Sequence, residues 1–191
     1  TGEKRVFVKR EVPSPYLMIT YHVPQTGSQD YYALDLLNSI LSEGESSRLY
    51  NSVVDNQQLA LEVGSIYSDA FDPTLFFFYG VTAEQLEKAI LEEVEKIIKD
   101  GISESELQKV KNQKLMSFYR TTETINGMSN TIGTYELFFG DYKKLFTAPN
   151  DYKKVTAEDI KNVAAKYFTK QNRTVGILNT EEAQWKQMED V

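Results

Sequence analysis

Apolar and polar positions alternate with strand period over Arg5–Arg10 and again over Tyr16–Val23, the latter bounded by Pro24 and Gly27. In the second stretch Leu17, Ile19, Tyr21 and Val23 share one face, and Tyr16, Met18, Thr20 and His22 the other. Both faces carry apolar residues, so both are expected to be covered. From Gln29 to Ser42 the period becomes helical, with Leu34, Leu37 and Leu41 flanked by Ala33, Leu36 and Ile40 in a broad stripe. Gly44 ends that helix, and Ser46 or Ser47 is placed to cap a short second one running to about Asp55. Leu59–Ser68 and Leu75–Val81 read as paired strands. The run Phe76-Phe77-Phe78-Tyr79 predicts a strand buried on both faces.

The span Thr82–Gly140 reads as helical. Thr82 with Gln85 forms a capping-box pattern ahead of Leu86, Ile90, Val94 and Ile97, and Gly101 stops that helix. Ser103 with Glu106 caps the next, and a third runs from Ile125 to Phe139. Thr156 caps a fourth that turns Ile160, Val163, Ala164 and Phe168 inward, and Arg173–Asn179 returns to strand alternation. Strands, then helices, strands, several helices and a last strand predict an α+β domain: a mostly antiparallel sheet with helices packed on one face. No linker interrupts residues 1–191, which are expected to form one domain. The opening Thr1-Gly2-Glu3-Lys4-Arg5 has no signal-peptide core, as expected of a piece of a longer chain whose targeting information lies elsewhere. The polar Glu181–Val191 tail is expected at the surface.

Composition narrows the chemistry. The 191 residues contain no cysteine and one histidine, which excludes disulfides, thiolate metal sites and cysteine nucleophiles, and leaves too few imidazoles for a standard zinc site. A net charge of −7 argues against nucleic acid, and no apolar run approaches the ~20 residues of a membrane helix, so a soluble domain is expected. No phosphate-binding loop, dinucleotide-binding turn or nucleophile elbow is present. His22, mid-strand between Tyr21 and Val23, reads as a residue of a partly covered sheet face rather than a triad base. Glu92-Glu93 and Glu104/Glu106 lie on amphipathic helices and read as solvated faces. The Phe76–Tyr79 run and Tyr135, Phe138 and Phe139 read as packing rather than ligand contacts.

The segment Leu36-Leu37-Asn38-Ser39-Ile40-Leu41-Ser42-Glu43-Gly44-Glu45-Ser46-Ser47-Arg48-Leu49-Tyr50 carries more information. With Ile19–Pro24 and Asp30–Leu34 upstream, and Gln57–Ala60, Gly101–Leu107 and Val155–Ile160 downstream, it resembles the second half-domain of the pitrilysin (insulinase) family of zinc peptidases, of the mitochondrial-processing-peptidase type. That resemblance implies a clamshell of two similar α+β halves. The partner half carries an H-x-x-E-H helix and binds zinc, while this half binds no metal, helps to hold an extended peptide and usually supplies an Arg and a Tyr that hold the substrate and stabilise the developing oxyanion. An isolated half would be inactive. The family's Arg and Tyr positions fall on Val54 and Leu61, neither of which has a side-chain donor. By resemblance the substrate-facing surface would lie around Ser47, Arg48, Val54 and Leu61. The same departures leave open a degenerate scaffold subunit without peptidase role, and an unrelated small-molecule-binding domain is a further alternative. A homodimer is also left open.

Overall fold

The computed structural model describes residues 2–81 and 85–180. The capping-box pattern from Thr82 and the Glu181–Val191 tail fall outside them. Five strands, β1 (Lys4–Lys9), β2 (Tyr16–Val23), β3 (Glu62–Tyr67), β4 (Thr74–Val81) and β5 (Arg173–Asn179), form one sheet in the order β1-β5-β2-β4-β3. Only the β1–β5 pairing is parallel, so the sheet is mostly antiparallel, as the α+β reading requires.

Six α-helices lie among the described residues: α1 (Tyr31–Ser42), α2 (Leu86–Asp100), α3 (Glu104–Thr122), α4 (Ile125–Phe139), α5 (Ala148–Lys154) and α6 (Ala157–Tyr167). Their caps match the expected chemistry. The Ser103 hydroxyl accepts from the Glu106 amide, and Thr156 and Asp159 form a reciprocal box. Gly101 and Gly140 supply the positive φ that ends α2 and α4. Helix α5 was not legible in the hydrophobic pattern because it is short; its signal is the Pro149 in its first turn behind Thr147.

The core lies between the helices and one sheet face. Ile19, Tyr21, Phe76, Phe78 and Val175 from the strands meet Leu34, Leu37, Leu41, Leu86, Ile90, Ile97 and Ile160, all at 2% exposure or less. Phe168, just past α6, wedges its ring against Tyr21, Phe76 and Phe78 at centroid distances of 4.9, 4.9 and 5.5 Å. Such aromatic contacts add about 0.5–1.5 kcal/mol each beyond area burial. Gly80 admits the α2 start at the sheet: a Cβ there would stand 2.5 Å from Leu86 Cδ2.

The second sheet face departs from expectation. Tyr16, Met18 and His22 are exposed and Phe77 and Tyr79 half-buried, so β2 and β4 are fully covered on one side only among the described residues. Near-continuous apolarity in β4 had suggested a strand buried on both faces; here it marks an apolar face left open.

Candidate functional site

The segment that carries the family resemblance connects α1 to β3. After Gly44 (φ +82°) the chain turns and re-enters a helix at Arg48, which widens into a π-helical stretch over Tyr50–Asn56. The Gln57 amide donates to the Ser52 carbonyl (3.2 Å), an i→i−5 bond, and the Leu59 amide to the Val53 carbonyl (2.9 Å). Gln58, at φ +52°, is the one non-glycine residue in the left-handed region among the described residues and turns the chain toward β3. A π-helical turn and a left-handed side chain within nine residues are costly features that concentrate at functional segments.

The expected serine cap is not made. Ser47 is buried, and its hydroxyl has no partner among the described residues, whereas its carbonyl accepts from the Asn51 backbone and side-chain amides at 3.0 Å each. The Ser46 hydroxyl instead faces the Lys109 ammonium from α3.

Arg48 is committed elsewhere. Its guanidinium forks onto Glu106 (Nε–Oε1 2.7 Å, Nη2–Oε2 2.8 Å) and reaches the Gly101 carbonyl at 3.4 Å. Hydrogen bonding to Glu106 raises the Arg48 pKa and fixes its charge. Glu106 therefore ties the first turn of α3 to the start of the π-helical stretch and is not a residue of a solvated face, as its helix pattern had suggested. Glu93 is also buried and meets Lys96 at 2.6 Å. Val54 is half-exposed on the π-helical stretch, and Leu61 stands 81% exposed immediately before β3, its amide donating to Val81 O at 3.3 Å. Of the four residues singled out by resemblance, Leu61 projects fully and Val54 partly; Ser47 and Arg48 face inward.

Other titratable groups have structural partners. His22 sits exposed at the end of β2, its Nδ1 3.3 Å from Asn172 Oδ1, so the partly covered position expected for it is not found. Glu87 is buried on α2 and held by Arg5 of β1 at 2.5 and 3.1 Å. Asp30 accepts from Lys166 and Tyr167 at 2.6 Å each; burial opposes its ionisation, but these two donors outweigh burial and hold the carboxyl below its ordinary value. Burial raises the Tyr21 phenol to about 12. Sequence reasoning missed these pairings because their members are 82 and 136 residues apart. Among the described residues no group of three or more His, Cys, Asp or Glu is placed to hold a metal ion, so the donors present do not fit a zinc site. No helix among them is long and apolar enough to cross a membrane.

Residues 1–114 match the family described as the peptidase M16 inactive domain. The chain belongs to that family. This inactive domain is 30% identical over 165 residues to the uncharacterized zinc protease YmxG of Bacillus subtilis, covering 84% of the chain and 40% of the relative. It is 29% identical over 168 residues to the zinc protease PqqE of Helicobacter pylori, covering 85% and 38%. The domain thus spans about two fifths of the length of these curated relatives. The crystal structure of a protease from Helicobacter pylori superposes with a TM-score of 0.87 at 27% identity, over 93% of this chain and 44% of that one. A peptidase M16 inactive domain from Pseudomonas fluorescens gives 0.82 at 19% identity, over 95% and 44%, a likeness of fold. The pitrilysin-type resemblance and the α+β fold expected from the sequence are both borne out.

Proposed function

We infer that residues 1–191 form the non-catalytic half of a clamshell zinc endopeptidase, closing one side of its chamber and helping to hold an extended peptide. Its partner would be a zinc-bearing half with an H-x-x-E-H motif, on the same polypeptide or a separate subunit. The donor set carries this reading: a chain of the inactive-domain family with no thiol and one imidazole, which is engaged by Asn172. Zinc would activate water in the other half, and this half's residues would bind and orient.

Val54 and Leu61 would supply apolar contact to the peptide from the π-helical stretch and the entry to β3. Ser47 and Arg48 would act through them, by holding that stretch on α3. Backbone contacts could come from a sheet edge, which needs no particular side chain. The β3 edge is partly taken, since the Ser42 hydroxyl of α1 donates to the Ser65 carbonyl at 3.2 Å; β1 is the other edge strand.

The test is a fluorogenic-peptide assay. Residues 1–191 alone, with or without zinc, should give no hydrolysis, and adding a zinc-bearing half should give cleavage that Leu61→Asp weakens. Zinc-dependent cleavage by residues 1–191 alone would refute the role. Val54 and Leu61 favour one second reading, a scaffold subunit of the same fold: it predicts no cleavage even with a competent zinc half, because no side-chain donor replaces the Arg and Tyr.

A further inference from the structure

The start of α1, the end of α5 and one face of α6 do not close on one another but leave a cavity of about 520 Å³. It shares no residue with the surface around Val54 and Leu61. From α6 it takes Asp159, Asn162, Val163 and Lys166, whose offsets of three, four and seven residues are those of a single helix face. At 1.5 Å per residue, Asp159 and Lys166 stand about 10 Å apart along the axis. That face therefore has an anion at one end, a cation at the other and the Asn162 amide between them. Helix α5 adds a second charged pair, Asp151 and Lys154. Tyr32 and Ala33 of α1, together with Val155 and Val163, supply the apolar part of the wall.

These charges are paired but not used up. Lys166 donates to Asp30 at 2.6 Å, which occupies one of its three N–H donors, and its side chain is 61% exposed. Lys154 meets Asp151 at Oδ1 (2.9 Å) and leaves Oδ2 free to accept. Asp159 takes the Thr156 amide and hydroxyl on Oδ2 (2.8 and 2.7 Å) and leaves Oδ1. The three carboxylates are not placed to hold a metal ion, so the cation they fit is an ammonium group. Two lysines against three aspartates leave the cavity with a net charge of −1, which disfavours a plain anion. A ligand carrying both signs, separated by the length of the α6 face, satisfies every group named.

We propose that this groove binds a short peptide by both of its free ends. The ammonium group sits on Asp159 and Asp151, the carboxylate on Lys166, and a backbone amide on Asn162. Length follows from the spacing. At about 3.3 Å per residue an extended tripeptide spans about 10 Å, whereas a dipeptide reaches only about 7 Å. A central apolar side chain would lie against Val155 and Val163, both buried. The volume falls within the range of small-molecule sites, about 300–1,000 Å³. Asp30 beside Lys166 opposes a second negative charge at the carboxylate end. Hydrolysis of peptide bonds is the reaction class that supplies such a ligand. The proposal does not rest on the peptidase reading, since it concerns residues 1–191 by themselves.

The test is an NMR titration of residues 1–191 with the tripeptide Ala-Val-Ala, read from amide shifts. The free peptide should bind with a Kd of about 1 mM or tighter. Acetylating its amine, amidating its carboxylate or shortening it to Ala-Val should each weaken binding at least about threefold. Lys166→Met should erase the difference between free and amidated carboxylate and keep the difference at the amine. Asp151→Asn should do the reverse, and circular dichroism should stay native in both. Asn162→Trp, a change at an exposed position, should fill the groove and weaken binding at least about tenfold. No shifts at about 10 mM peptide would overturn the proposal. So would a doubly blocked tripeptide that binds as tightly as the free one, or an Asn162→Trp chain that binds like wild type. A pentapeptide binding as tightly as the tripeptide also overturns it, because the groove then reads one chain end only. None of these outcomes touches the proposed function, whose own test is cleavage with a zinc-bearing half.

Discussion

Replacing Arg48 separates a structural arginine from a substrate-binding one. Its fork onto Glu106 spans the start of the π-helical stretch and the first turn of α3, and the two side chains are 22% and 26% exposed. A fully exposed ion pair contributes about 0.2–1 kcal/mol, whereas removing one member of a fully buried pair costs about 3–5. A two-pronged contact about three-quarters buried falls between, so Arg48→Met should cost about 2 kcal/mol. Glu106→Gln keeps the volume and one acceptor and should cost about 1 kcal/mol. In Arg48→Met/Glu106→Gln the partner is already gone, so the double variant should cost less than the sum by at least ~1 kcal/mol. Urea unfolding reads this directly. At a slope of about 2.5 kcal/mol/M, Arg48→Met should lower the midpoint by about 0.8 M. The slope itself should be unchanged. Additive losses, or a midpoint within 0.1 M (about 0.25 kcal/mol) of wild type, would refute the reasoning and return Arg48 to the peptide-binding surface.

Three other outcomes follow from the packing. Gly80→Ala should destabilise by about 1–3 kcal/mol, seen as a lower thermal midpoint, because its Cβ would press on Leu86 Cδ2 at 2.5 Å and the Glu62 carbonyl at 3.1 Å. Glu87→Ala leaves Arg5 without its main partner on the edge strand and should speed amide exchange in β1 well ahead of β2. Asp30 has its carboxyl held below the ordinary 3.8, so its contribution is present above that value and is lost as pH falls through the lower folded value. Asp30→Asn should therefore be clearly less stable than wild type at pH 7, and the gap should narrow at pH 3 and below; thermal melts at both pH values decide it.

Local patterning determined much of this domain. The alternation in β2, the helical stripes of α1 and α2, the Ser103 and Thr156 caps and the stops at Gly101 and Gly140 are short-range features written in consecutive residues, and each lies where its pattern placed it. Composition limited the chemistry further, since a standard zinc site draws on imidazoles and thiolates, of which this chain has one and none. What tertiary structure alone decided depends on residues distant in the chain. The Ser-Ser-Arg segment reads as an ordinary helix start, yet Ser47 is buried without capping and Arg48 is drawn to a carboxylate 58 residues away. The apolar run in β4 likewise cannot say whether one face or two are covered, because hydrophobicity records that a surface must leave water and not what will cover it.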